Sequence, residues 1–375
     1  MAPRQPSPAP AVDDRAKPVL PGFYRVIPMG PDTLQLRTSG KVLRVATPGV
    51  GDFGARLLGA LDGQRTLAEV VEQLELDRDA AAELVRQLLH AGVLSDASDD
   101  AAHAPPPVGG NAAAHELYGE LGHRPGSVQA AISGARVAMV GLGPVARLAA
   151  RHLAAAGIGE LVLVDDAVVT STDQFVLAGD ASGVGWSRAE VARDECSLAS
   201  PTGDPRSLVR ITGDAVGHVA RQVDLVVVEV DEAGDRVASA NDECLAAGVP
   251  ALFHSATTLD AVVGPMALPG TQGCYRCLAR RGLSHIRHYD EMVAYQQFLV
   301  DGNGARQPGL ISGFAAMIAG LLSLEALRQV GGFLDPVTVG GVLMTDVRTS
   351  LVRREELLPV PACPACDARE QEEAG

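Results

Sequence analysis

The sequence predicts an α/β protein, a doubly wound Rossmann-like domain preceded by a small winged helix-turn-helix unit. Three observations carry that expectation. Apolar runs that read as strands (ARVAMVGLG, ELVLVDD, DLVVVEV and PALFHSA) alternate with helical stretches between residues 135 and 256. The first run ends in Gly141-x-Gly143-x-x-Ala146 at the start of a helix, the context a dinucleotide turn requires. Upstream, two short strand patterns precede three helical ones within about 75 residues, the order of a winged unit.

Taken in order, residues 1–18 are rich in Pro, Ala and charge without periodicity and read as a disordered tail. The winged unit is expected over 19–97. Its strands are TLQLRT and KVLRVA (33–38 and 41–46), joined at Ser39-Gly40. Helices are expected over 53–61, over 67–74 with Thr66 and Glu69 as a capping box, and from Asp79 to about residue 91, before Gly92. Acidic, Pro- and Gly-rich residues 98–125 read as a linker, and 126–368 as the α/β domain. In the latter, the mostly apolar stretch 310–330 reads as a buried helix, and 369–375 as an acidic tail.

Composition narrows the function classes. The 375 residues are 47% hydrophobic and 21% charged, enough for a sizeable core and two or three domains. No uninterrupted apolar run approaches the ~18 residues that span a bilayer, and the N-terminus carries no secretory-type apolar segment. A cytoplasmic protein without membrane association is expected. A net charge of −15 argues against nucleic acid as the main partner.

Four of the six cysteines form two Cys-x-x-Cys pairs, Cys274/Cys277 and Cys363/Cys366. Four thiolates in this spacing suit tetrahedral structural zinc; a redox pair is the alternative. Cys196 and Cys244 read as packed thiols, and His285 and His288 as solvated loop residues. Asp165, 22 residues after Gly143, closes the second strand where it could hold a ribose. Against nucleotide binding, Pro144 removes an amide donor that could face phosphate.

The glycine turn, the acidic strand end, DLVVVEVDEAGDR, PGTQGCYRCL and the terminal CPAC follow in the order found in ThiF-like, ubiquitin-activating-type adenylyltransferases, which this chain resembles over about residues 130–368. The stretches LLGALDGQRTLAEVVEQL and LVRQLLHAGVL resemble a PqqD-like peptide-recognition domain. Together they resemble the ThiF-like leader-peptide-binding partners of azole- and thiopeptide-forming clusters, which work beside a YcaO-type cyclodehydratase.

The resemblance implies ATP, a metal-binding Asp and several phosphate-handling groups. Gly141, Gly143, Asp165, Asp231 and Arg236 match the pattern, and Arg188 stands near the place of an assisting Lys. Ala167 replaces a second Asp, Asp173 an Asn, Val176 an Arg and Glu232 an Asn. Adenylation needs positioned cations to offset charge on the triphosphate, so these departures point to a degenerate nucleotide site. ATP binding is therefore not expected to drive chemistry here, and an active adenylyltransferase is the rival reading.

For the winged unit, a DNA-binding helix-turn-helix is disfavoured because residues 78–91 lack a basic face. The resemblance implies instead that a leader peptide adds as a strand beside Lys41, Val42, Leu43, Arg44 and Val45 and packs against Leu84, Val85 and Leu88. It also implies a precursor peptide and a cyclodehydratase as partners, and a possible homodimer.

Overall fold

Strand-forming runs of Val, Leu and Met, each apolar on both faces, become the parallel centre of a seven-stranded sheet, as buried parallel strands require. In the computed structural model, the described residues are 16–97, 112–177, 183–200, 216–230, 235–284, 286–300 and 309–367. The chain divides into two compact units, Met1–Val128 and Gln129–Gly375.

In the first unit, β1 (Pro18–Val19) pairs antiparallel with β5 (Ser95–Asp96). Strands β2 (Arg25–Pro28), β3 (Thr33–Arg37) and β4 (Val42–Ala46) form an antiparallel sheet in that order, which leaves β4 at an edge. Helices α1 (Val50–Gly59), α2 (Leu67–Leu74) and α3 (Arg78–His90) follow. Thr66 and Glu69 form the expected capping box. Helix α3 starts earlier than expected, because the carboxylate of Asp77 accepts the Ala80 amide and caps it. Leu34, Leu36, Leu57, Leu58, Val70 and Val85 meet in the core. Of the stretch expected as a linker, residues 112–120 form α4 (Ala112–Glu120), and 98–111 lie outside the described residues. Glu120 of α4 accepts the Gly40 amide at 3.0 Å, and Gly119 leaves room for the Phe23 ring.

The second unit begins within α5 (Pro125–Gly134) and runs β6 (Arg136–Val140), α6 (Pro144–Ala155), β7 (Glu160–Val164), α7 (Ser171–Val176), α8 (Arg188–Ala199), α9 (Val216–Ala220) and β8 (Leu225–Glu229). Then come α10 (Asp235–Ala246), β9 (Ala251–Ala256), β10 (Asp260–Ala267), α11 (Tyr275–Ser284), α12 (Tyr289–Val300), α13 (Ser312–Gly331), β11 (Gly341–Asp346) and β12 (Leu351–Glu356). The sheet order is β12-β11-β10-β9-β8-β6-β7, parallel from β9 to β7 and antiparallel elsewhere.

Strand β6 lies between β7 and β8, so the order reverses there and opens a crevice at the strands' carboxyl ends. One face of the sheet packs on α6, α8 and α13 through residues such as Met139, Leu153, Val227 and Ile318. The other packs on α9, α10 and the start of α11 through Val226, Phe253, Val237 and Cys277. Helix α13 is long and apolar enough to cross a bilayer by composition alone. It instead buries Phe314, Ile318, Leu322 and Ala326 in the first of these cores.

Candidate functional site

The crevice is built by the glycine turn between β6 and α6. Gly141 adopts φ +84, a left-handed conformation that glycine tolerates best. Gly143 caps α6, with Pro144 supplying its first turn. Helix starts of this kind present free amides to an anion. Here the chain's own carboxylates take them. The Leu142 amide donates to Asp165 Oδ2 at 2.6 Å, and the Gly143 amide donates to Glu229 Oε2 at 2.7 Å. Asp165 also accepts the Ala167 amide through Oδ1 at 2.7 Å, so both its oxygens serve the backbone. A Cβ on Gly143 would lie 2.3 Å from Glu229 Oε1, so a larger residue there would displace the Glu229 carboxylate.

Glu229 ends β8. The protein packed around it raises its carboxyl from 4.5 to about 7, although part of the residue still meets solvent. Its charged surroundings are Arg188, Asp165 and Asp173. Arg188 Nη2 lies 3.1 Å from each oxygen of Asp173, and Nη1 lies 3.7 Å from Asp165 Oδ2. Asp173 in turn accepts the Thr170 amide and exchanges a cap with the Thr170 hydroxyl at the start of α7. Val176, in the place of an implied phosphate-clamping Arg, is buried in the apolar core. Asp231 and Glu232 lie outside the described residues, as does the side chain of Arg236.

His254 pairs with Glu229 in the β8–β9 register and is 1% exposed. Among the described residues neither ring nitrogen has a hydrogen-bond partner, and burial lowers its pKa to about 4, which keeps the ring neutral. Sequence reasoning missed both Glu229 and His254. The acidic end of the apolar run DLVVVEV was the available signal for Glu229; nothing in the sequence marked His254.

The four cysteines of the two Cys-x-x-Cys pairs come together and are buried, with all four Sγ atoms within 4.8 Å of one another. Cys274 and Cys363 are 3.9 Å apart, and Cys277 and Cys366 3.6 Å. Four sulfurs at about 2.3 Å from a central ion in tetrahedral array stand roughly 3.8 Å apart, so the cluster can hold a metal ion. The Val360 amide donates to Cys277 Sγ at 3.4 Å, a second contact of the kind that orients a thiolate ligand. Burial pushes Cys196 and Cys244 up to about 12, so both are inert packed thiols. His285 lies outside the described residues, while His288 is exposed.

In the first unit, edge strand β4 exposes Val42 and Leu43 and follows Lys41. Arg44 is exposed and Val45 half-buried. Beside the start of α1, a cavity of about 300 Å3 is lined by Thr47, Val50, Phe53, Glu83, Leu84 and Gln87, among others. Leu84 belongs to the unit's core, as Val85 and Leu88 do, and of the three it is the one that also lines the cavity. Phe53, Glu83 and Gln87 were not singled out from the sequence.

A parallel sheet with a glycine turn at its switch point and an acidic residue closing the next strand defines a Rossmann-like protein of the nucleotide-binding type. The chain belongs to the ThiF family, whose model matches residues 112–365. It is 27% identical over 240 residues to the molybdopterin-synthase adenylyltransferase of Escherichia coli, covering 64% of this chain and 89% of the relative. Against the sulfur carrier protein ThiS adenylyltransferase of the same organism it is 26% identical over 233 residues, 62% of this chain and 85% of the relative. Among solved structures it resembles E. coli MccB with ATP, at 16% identity and a TM-score of 0.66, over 93% of this chain and 99% of that one. MccB, described as a microcin C7 biosynthetic enzyme, has also been solved with N-formylated MccA, with the same identity, coverage and TM-score.

Proposed function

We propose that this protein binds the leader segment of a ribosomally made precursor peptide and presents the rest of that peptide to a separate YcaO-type, ATP-dependent cyclodehydratase. That partner would convert Cys, Ser or Thr into azolines. The observation that carries the binding half of this reading is β4, an edge strand with Val42 and Leu43 exposed. Lys41, Val42, Leu43, Arg44 and Val45 offer the backbone for an added strand, and the nearby cavity at Leu84 can take an apolar side chain of the peptide. Val85 and Leu88 would support this surface from the core.

The scaffold half of the reading draws on the crevice. The amides of Leu142 and Gly143 are taken by Asp165 and Glu229, and Arg188 is shared between Asp173 and Asp165. No positive group among these residues is left to meet a triphosphate. Tethering the precursor to the cyclodehydratase would raise its effective concentration without chemistry at this site. The cysteine cluster would hold zinc with no open position, a structural role that ties the chain's last strands to α11. The protein is read as cytoplasmic and as a homodimer.

A second reading, an adenylyltransferase acting on a peptide or sulfur-carrier C-terminus, is favoured by the activities named for the relatives. The two separate cleanly. Titration of the full chain with labelled leader peptides should give saturable binding, and ATP–pyrophosphate exchange by the chain alone should be at background. Robust exchange would sink the scaffold reading; absence of any peptide binding would sink the recognition reading.

A further inference from the structure

A dinucleotide-type turn works because the amides at its helix start are free to meet a phosphate. At Gly143 that amide is already bonded to Glu229 at 2.7 Å. The fit is tight, since a Cβ on Gly143 would meet Glu229 Oε1 at 2.3 Å and one on Gly141 would meet Glu229 Cβ at 2.7 Å. The carboxylate therefore fills the space over the turn that a phosphate oxygen would need. It comes from the end of β8, on the far side of β6 from Asp165, and so reaches across the switch point.

The surrounding charges support the same conclusion. Among the described residues, Glu229, Asp165 and Asp173 face one cation, Arg188, and that cation is bonded to Asp173. A polyphosphate entering here would meet three acidic groups offset by Arg188 alone among the described residues, in a poorly solvated crevice where like charges repel strongly. His254, buried beside Glu229 and neutral, adds no positive charge.

We propose that Glu229 is an internal stand-in for phosphate, the residue that keeps the glycine turn closed to nucleotide polyphosphates. This deepens the scaffold reading above and rests on it. The prediction is a gain of function: shortening Glu229 frees the Gly143 amide and makes room over the turn, so that the cleft recovers affinity for a nucleotide.

The test uses the full metal-loaded chain, with Mg-ATP as the probe. Trp186, the chain's one tryptophan, lies two residues from Arg188 and reports binding by its fluorescence; calorimetry gives an independent reading. Glu229→Ala and Glu229→Ser are expected to bind Mg-ATP at least tenfold more tightly than the wild type. Glu229→Gln keeps an acceptor of the same size against Gly143 and loses only the charge, so it should gain only about threefold. If the truncations do not fold, Glu229→Gln decides, and no gain there counts against the proposal. Folded truncations that gain nothing, in a background where the wild type also fails to bind, overturn the role of Glu229 and leave the scaffold reading intact. A wild type that already binds Mg-ATP as tightly as the truncations overturns the proposal, and one that also exchanges pyrophosphate overturns the scaffold reading with it.

Discussion

Arg188 and Asp173 form a nearly sealed ion pair: Arg188 Nη2 lies 3.1 Å from each carboxylate oxygen, with the two side chains 12% and 0% exposed. Removing one member of a buried pair strands the other's charge, so Asp173→Ala should destabilise the protein by about 3 kcal/mol. Asp173→Asn keeps the hydrogen bonds with Thr170 and should cost less. Urea unfolding of the two variants checks the order, and equal costs would mean that the ion pair, not the Thr170 cap, is what Asp173 contributes.

The cysteine cluster predicts roughly one metal ion per chain by elemental analysis. Cys363→Ser, or a thiol-competing chelator, should remove it and lower Tm by roughly 10 °C or more, because a structural site contributes several kcal/mol. Burial raises the Cys274 and Cys277 thiols, so these two are protonated without the ion and reloading should release protons. A pH indicator in weak buffer measures that release.

Ala80 is exposed at the rim of the cavity beside β4. Ala80→Trp fills that space from its exposed side, over Val50 and Leu84, without removing a core side chain. Peptide affinity should fall by tenfold or more, while stability stays within about 0.5 kcal/mol, as for most surface changes. Undiminished binding would place the peptide elsewhere.

Glu229 gives a pH dependence of known sign. Its folded pKa, about 7, lies above the ordinary 4.5, so the folded state holds the proton more tightly than the unfolded one. The stability this confers is full below pH 4.5 and is lost as pH rises through about 7. Glu229→Gln lacks that titration. Its stability relative to the wild type should therefore improve between pH 5 and 8, by on the order of 1 kcal/mol once partial exposure is allowed for. A constant difference across the window would show that Glu229 is not held protonated.

The elements of the fold were largely legible because each carries a local signal. Alternating apolar runs marked β6, β7, β8 and β9, and the Thr66–Glu69 pair marked the start of α2. The antiparallel edge β11–β12 and helix α4 were not marked, since β12 is exposed along its length and α4 is short and weakly amphipathic. The cysteine cluster could be read because metal ligands keep a strict spacing. The arrangement of the crevice could be read only in part. The Asp173 and Val176 departures from the family pattern pointed to missing phosphate-handling groups, but which carboxylate meets which amide depends on how β6, β7 and β8 lie side by side. No local pattern encodes that arrangement.

The two faces of the seven-stranded sheet bury separate cores, one holding the cysteine cluster and the other the helix that follows the glycine turn. Loss of the ion should therefore be a one-sided injury. Amide exchange would quicken first in α10, α11 and the last strands, while α6 and α13 kept their protection, leaving the sheet to act as a firewall between a softened flank and an intact one.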